Sequence, residues 1–256
     1  MTNAATVVAN KPIWVDLGTH DAPQSHAFYA RLFDWDIQVS PDPQYRGYGR
    51  ALSDGKDVAG IGPTMSPEQP VAWSLYIGTT DVDALAEKVM AAGGAVVMAP
   101  LDVGDQGRMA VFADPAGAVI SAWQPTTMGG FEAEGRNAYG WGELNARGVD
   151  KVLPFYRDVF GWTLKSSGDP SFPYTEFLVD GESVAGATEM SPMAPAEMPN
   201  YWLVYFNVGD VDAAAATAEE AGGKVMLAPL DFPGGRMAMI ADPEGGIFGL
   251  LKMADS

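Results

Sequence analysis

The sequence predicts an α+β fold made of four βαβββ units, two in each half of a duplicated chain. Two observations carry that prediction. The first is repetition: Trp14-Val15-Asp16-Leu17 returns as Trp141-Gly142-Glu143-Leu144, and the stretch from Arg108-Met109-Ala110 to Asp114-Pro115-Ala116-Gly117 returns from Arg236-Met237-Ala238 to Asp242-Pro243-Glu244-Gly245. Phe28-Tyr29 pairs with Phe155-Tyr156 and Trp35 with Trp162 at a spacing of 127, Trp73 with Trp202 and Gly93-Gly94 with Gly222-Gly223 at 129, and Asp114 with Asp242 at 128. A period of that length is a duplicated domain, since solenoid repeats are far shorter. The second observation is the order of strand-like and helical stretches inside one copy.

In the first copy, residues 13–18 read as a strand. A helix over 21–33 follows, with Phe28/Leu32 and Tyr29/Phe33 four apart on one face. Strands are predicted over 35–39, 48–53 and 58–61, the last two joined by a turn at Asp54-Gly55. Then the order restarts. Residues 72–78 form a strand, and Asp81 caps a helix that carries Val82, Leu85 and Val89 and closes at Gly93-Gly94. Strands over 95–98, 109–113 and 118–123 complete the second unit, the last two linked by the Asp-Pro-Ala-Gly turn. The boundaries are a first domain over 10–125, a Gly- and Glu-containing connection over 126–136, and a second domain over 137–254.

Composition narrows the partners. A net charge of -18, from 15 basic and 33 acidic residues, repels nucleic acid and anionic lipid and leaves a neutral or cationic small molecule as the expected ligand. No cysteine is present, which removes disulfides, thiolate nucleophiles and thiolate metal sites. Met1–Lys11 lacks the basic start and apolar core of a signal peptide, and no run reaches membrane-span length. A cytoplasmic monomer or homodimer is the expectation.

A helix ending in Phe-Tyr-x-x-x-Phe-x-Trp, a second helix closed by Gly-Gly, and Asp-Pro-x-Gly before a final strand, in that order and twice, resemble the vicinal-oxygen-chelate superfamily. That family includes glyoxalase I, bleomycin-resistance proteins and extradiol dioxygenases. The resemblance covers both halves and is strongest to duplicated actinobacterial proteins, among them auxiliary proteins of aromatic polyketide pathways. It implies two glyoxalase-like domains, each a cup-shaped mixed sheet of eight strands with the ligand inside.

The resemblance also implies positions for a divalent metal held by His and Glu of the first and last strands. Those positions fall on Trp14, Ser74 and Ser121 in one copy and on Trp141, Leu203 and Gly249 in the other, none a strong ligand to a divalent cation. The only histidines are His20 and His26, six residues apart and read as helix and loop residues. No metal and no cofactor are therefore expected, although a carboxylate site drawn from Asp16, Glu143 or Glu189 stays open.

The remaining candidates line the implied cup. Residues two apart in a strand share a face, which groups Trp14 with Asp16, and Trp141 with Glu143 and Asn145. A carboxylate beside tryptophan is poorly hydrated and suits a general base or an acceptor for a phenol or enol, so Glu143 and Asp16 are the candidate catalytic groups. Ligand contacts are expected from Trp14, Trp141, Asn145, Trp73, Tyr76, Trp202 and Tyr205, while core packing competes for each aromatic. Arg108 and Arg236 start matched strands and suit ion pairs better than an anionic ligand. No Gly-x-Ser-x-Gly, Gly-x-x-x-x-Gly-Lys or Gly-x-Gly-x-x-Gly motif is present. Two main readings follow: a protein that binds or sequesters an apolar, aromatic metabolite, or a metal-independent isomerase, cyclase or hydroxylase-associated enzyme of secondary metabolism. The alternative is a metal-dependent lyase or dioxygenase with displaced ligands.

Overall fold

The computed structural model describes residues 8–132, 134–168 and 173–254; Ala133 of the predicted connection and residues 1–7 of the N-terminal stretch lie outside them. In the first half the elements are β1 Pro12–Thr19, α1 Ala22–Phe33, β2 Asp36–Val39, β3 Gly49–Ser53, β4 Lys56–Pro63, β5 Ala72–Gly78, α2 Val82–Ala91, β6 Ala95–Val103, β7 Gly107–Ala113 and β8 Val119–Pro125. The second half repeats them as β9 Tyr139–Ala146, α3 Leu153–Phe160, β10 Thr163–Ser166, β11 Tyr174–Val179, β12 Glu182–Glu189, β13 Tyr201–Asn207, α4 Val211–Glu220, β14 Lys224–Phe232, β15 Gly235–Ala241 and β16 Ile247–Met253. Each half forms one eight-stranded sheet, ordered β2-β3-β4-β1-β5-β8-β7-β6 and β10-β11-β12-β9-β13-β16-β15-β14. Both sheets are mixed, because β4 runs parallel to β1 and β8 to β5 while the outer pairs are antiparallel.

Several strands run past their predicted bounds, β6 furthest. The sequence suggests that β6 ends at Met98, before Ala99-Pro100, but it continues to Val103 through two register shifts against β7. A sheet-edge position explains this, since proline cannot donate to a ladder and an outermost strand leaves one row of N–H groups unpaired.

Helix ends follow local chemistry. Asp81 accepts from the Ala84 N–H and Asp210 from the Ala213 N–H, capping α2 and α4 at matched places. Gly93 and Gly222, at φ of 85° and 94°, turn the chain back after those helices.

The chain resolves into two compact units, each taking one βαβββ module from either half. Among the described residues, one holds 8–14, 75–130 and 141–202; the other holds 15–74, 131–140 and 203–254. In the latter, α1 packs against α4, and Phe33, Trp35, Trp73, Phe206 and Phe248 form an aromatic core in which the Trp73 and Phe206 ring centres are 4.8 Å apart. The other unit packs α2 against α3 and clusters Phe160, Trp162, Phe177 and Trp202, with Phe160 stacked on Trp162.

Inside each unit the motifs of one half close on those of the other. Tyr29 donates to Asp242 at 2.9 Å and accepts from the Trp73 indole at 2.9 Å. Tyr156 donates to Asp114 at 2.8 Å and accepts from Trp202 at 2.9 Å. Each aspartate also accepts one backbone N–H from within its Asp-Pro-x-Gly turn and one from the residue just after it, so the turn residue is a buried acceptor with three donors. Burial raises both tyrosine pKa values far above 10, with the neighbouring carboxylates adding to the rise, so both hydroxyls stay protonated donors. The Gly-Gly pairs complete the contact: a Cβ on Gly94 would stand 2.7 Å from the Phe155 ring, and one on Gly223 3.1 Å from that of Phe28. Within each unit, then, a helix and turn of one half pack on those of the other.

Candidate functional site

The candidate site is built on β9. Its alternation buries Leu144 and Ala146 on one face and leaves Trp141, Glu143 and Asn145 half-buried together on the other. Across the ladder, Gly186 of β12 is the register partner of Glu143. The missing side chain of that glycine makes room for Tyr174, the first residue of β11: a Cβ on Gly186 would meet the Tyr174 hydroxyl at 2.0 Å and Cζ at 2.4 Å.

Tyr174 links the predicted residues. The Trp141 indole donates to its hydroxyl oxygen at 2.7 Å, and the Tyr174 O–H bonds to the Glu143 carboxylate. An indole N–H can only donate, so the direction is fixed as Trp141 to Tyr174 to Glu143. Asn145 Nδ2 donates to Glu143 Oε1 at 3.2 Å. Burial, then the charge of Glu143, raises the pKa of Tyr174; the same two causes raise that of Tyr201 at the start of β13. The carboxylate therefore ends a chain of neutral donors beside half-exposed tryptophan and tyrosine. Arg147, next after β9, donates to the carbonyls of Met198 and Pro195, and its N–H to Asn200 at 2.9 Å, holding the segment that leads into Tyr201.

The first half carries the same frame with fewer polar groups. Asp16 lies in register with Gly60, and a Cβ there would meet the Tyr48 hydroxyl at 1.7 Å. Gly18 stands where the second half has Asn145, and Ala72 where it has Tyr201. Trp14 is 4% exposed, against the half-buried Trp141.

The other predicted contacts separate by strand face. Trp73 and Trp202 are buried with the helix aromatics, their indoles donating to Tyr29 and Tyr156, because alternation turns them away from Ser74 and Leu203. Tyr76 is buried in register with Ser121, whose hydroxyl is fully enclosed without a hydrogen-bond partner. Tyr205 lies over Gly249, where a Cβ would stand 2.0 Å from its ring. Arg108 pairs with Asp83 and Asp102, and Arg236 with Asp212 and Asp231.

Donor chemistry at the positions assigned to a metal does not fit one: Trp14, Ser74, Ser121, Trp141, Leu203 and Gly249 offer neither imidazole nor carboxylate. No group of three or more His, Asp or Glu side chains suited to a metal occurs among the described residues. Glu189 caps the turn after β9 by accepting the Gly148 and Val149 N–H groups at 2.8 and 2.9 Å. His20 and His26 each meet a backbone carbonyl, of Gln69 and Ile61.

The sequence profile of the Glyoxalase/Bleomycin resistance protein/Dioxygenase superfamily matches residues 11–121 and again 139–248. The chain belongs to this superfamily. Among its members, the glyoxylase-like protein CFP32 of Mycobacterium tuberculosis is 40% identical over 249 residues, covering 95% of both chains. The anthracycline biosynthesis protein DnrV of Streptomyces peucetius is 37% identical over 259 residues, covering 95% of this chain and 94% of its own. Among solved structures, the superfamily fold is shared with the Mn(II)-bound glyoxalase of Novosphingobium aromaticivorans at a TM-score of 0.66 and 18% identity, over 98% of this chain and 85% of that one. Among the described residues, no helix is long and apolar enough to cross a membrane.

Proposed function

We propose that this chain is a metal-independent vicinal-oxygen-chelate protein that binds a mostly apolar, aromatic small molecule in its second half and acts in secondary metabolism or resistance. The observation that carries this reading is the relay from Trp141 through Tyr174 to Glu143, a carboxylate acceptor set beside partly exposed aromatic surface. Such a pair suits a flat ligand that stacks on the indole and presents a hydroxyl to the carboxylate. In an enzyme of this kind Glu143 takes the ligand's O–H proton, as in an isomerisation or cyclisation. Relatives named for anthracycline biosynthesis support an aromatic polyketide as the ligand class.

The test is to dialyse the purified protein against a chelator, measure its metal content and titrate it with a hydroxylated anthraquinone. The proposal expects substoichiometric metal and unchanged affinity. One tightly held transition metal per chain, with binding lost on its removal, would overturn it in favour of a metal-dependent lyase or dioxygenase.

A further inference from the structure

We infer that Tyr174, seated in the notch left by Gly186, is the positioning residue that holds Glu143 as an acceptor, so that the site selects aromatic ligands bearing an O–H over those bearing only acceptor oxygens. This rests on the reading of Glu143 as the group that meets the ligand.

Three observations support it. The Trp141 N–H saturates one side of the Tyr174 oxygen at 2.7 Å, which leaves the tyrosine proton for Glu143. Gly186 is the one residue type at that register position that admits the hydroxyl, because a Cβ would stand 2.0 Å from it. The arrangement also occurs twice: Tyr48 sits over Gly60, in register with Asp16, at the same twelve-residue spacing that separates Tyr174 from Gly186. A carboxylate gripped by Tyr174 on one side and Asn145 on another presents acceptor oxygens in a fixed direction. A ligand hydroxyl completes that arrangement, whereas an ether or carbonyl oxygen faces it with like partial charge.

Two probes of nearly equal shape separate these cases: 2-naphthol, which donates, and 2-methoxynaphthalene, which does not. Calorimetric titration of the wild-type protein should show 2-naphthol bound about tenfold more tightly, the scale of one charge-assisted hydrogen bond. Tyr174→Phe keeps the ring and removes the hydroxyl; Gly186→Ala keeps the hydroxyl and displaces it. Both should lower 2-naphthol affinity several-fold and leave 2-methoxynaphthalene affinity unchanged, a selective loss that a purely structural role would not produce. If Gly186→Ala does not fold, Tyr174→Phe alone decides. Equal losses for both probes, or none, in Tyr174→Phe would overturn the positioning role while leaving Glu143 as the acceptor. A wild-type protein without preference, or a preference untouched by Glu143→Gln, would instead remove the reading of Glu143 and this inference with it.

Discussion

The two halves share a scaffold and differ where it is dressed. Trp14, Asp16, Tyr48 and Gly60 in the first correspond to Trp141, Glu143, Tyr174 and Gly186 in the second, yet only the second adds Asn145 and Tyr201 and keeps its tryptophan partly exposed. The frame is thus present twice, and the two copies differ in the polar side chains set on it, Gly18 standing against Asn145 and Ala72 against Tyr201. Residues that tie the halves together, by contrast, match on both sides: Tyr29 with Asp242, and Tyr156 with Asp114.

Truncating the matched tryptophans probes that difference most strongly. Trp14→Ala should lower unfolding free energy by about 3–5 kcal/mol, as expected for an aromatic removed from a packed interior. Trp141→Ala should cost clearly less stability and instead weaken aromatic ligand binding by about 1–3 kcal/mol through lost apolar contact. Urea denaturation and ligand titration on both variants test this, and equal stability losses would erase the contrast.

The shared framework should respond alike in the two halves. Tyr29→Phe and Tyr156→Phe each leave a buried indole N–H without its acceptor and an aspartate without its hydroxyl donor. Each should cost about 1–3 kcal/mol, with the two values close to one another. A large loss in one and none in the other would show that the tethers are not equivalent.

A smaller contrast lies at the outer strands. Asp57 pairs with Arg50 in the first half, where Glu176 meets Ser183 and Lys165 in the second. Burial lifts the Asp57 pKa above the ordinary 3.8, with Arg50 opposing and Glu132 adding to the rise. Hydrogen bonds from Ser183 and then Lys165 draw the Glu176 pKa below the ordinary 4.5. Asp57 therefore binds its proton more tightly when folded, and its ionisation costs stability as pH rises from about 3.8 through the raised value. Glu176 gives stability that is present above 4.5 and lost as pH falls through its lowered value. Stability measured from pH 3 to 7 should fall with rising pH for wild type relative to Asp57→Asn, and rise relative to Glu176→Gln. Slopes of the same sign would refute this pairing.

The fold was legible because the repeat and the strand and helix order state it twice, and the strand ends were missed mainly where β6 runs through Pro100 at a sheet edge. That Trp141, Glu143 and Asn145 share one face of β9 was legible from alternation. Tyr174 was not, since it lies 31 residues from Glu143 and meets it only across β12. Its trace in the sequence is the tyrosine and glycine twelve residues apart in both halves, a spacing that becomes meaningful once β11 and β12 are seen to pair antiparallel. The placing of Trp73 and Trp202 depended on which strand face meets the helices, which periodicity groups but does not assign.

In the proposed function the second half holds the ligand through Glu143. Calorimetric titration of 2-naphthol into wild type, Asp16→Asn and Glu143→Gln tests it most directly. One site per chain is expected, with affinity weakened about tenfold by Glu143→Gln, as for replacing a charged acceptor by a neutral one, and unchanged by Asp16→Asn. Two equal sites per chain, or equal losses in the two variants, would contradict it.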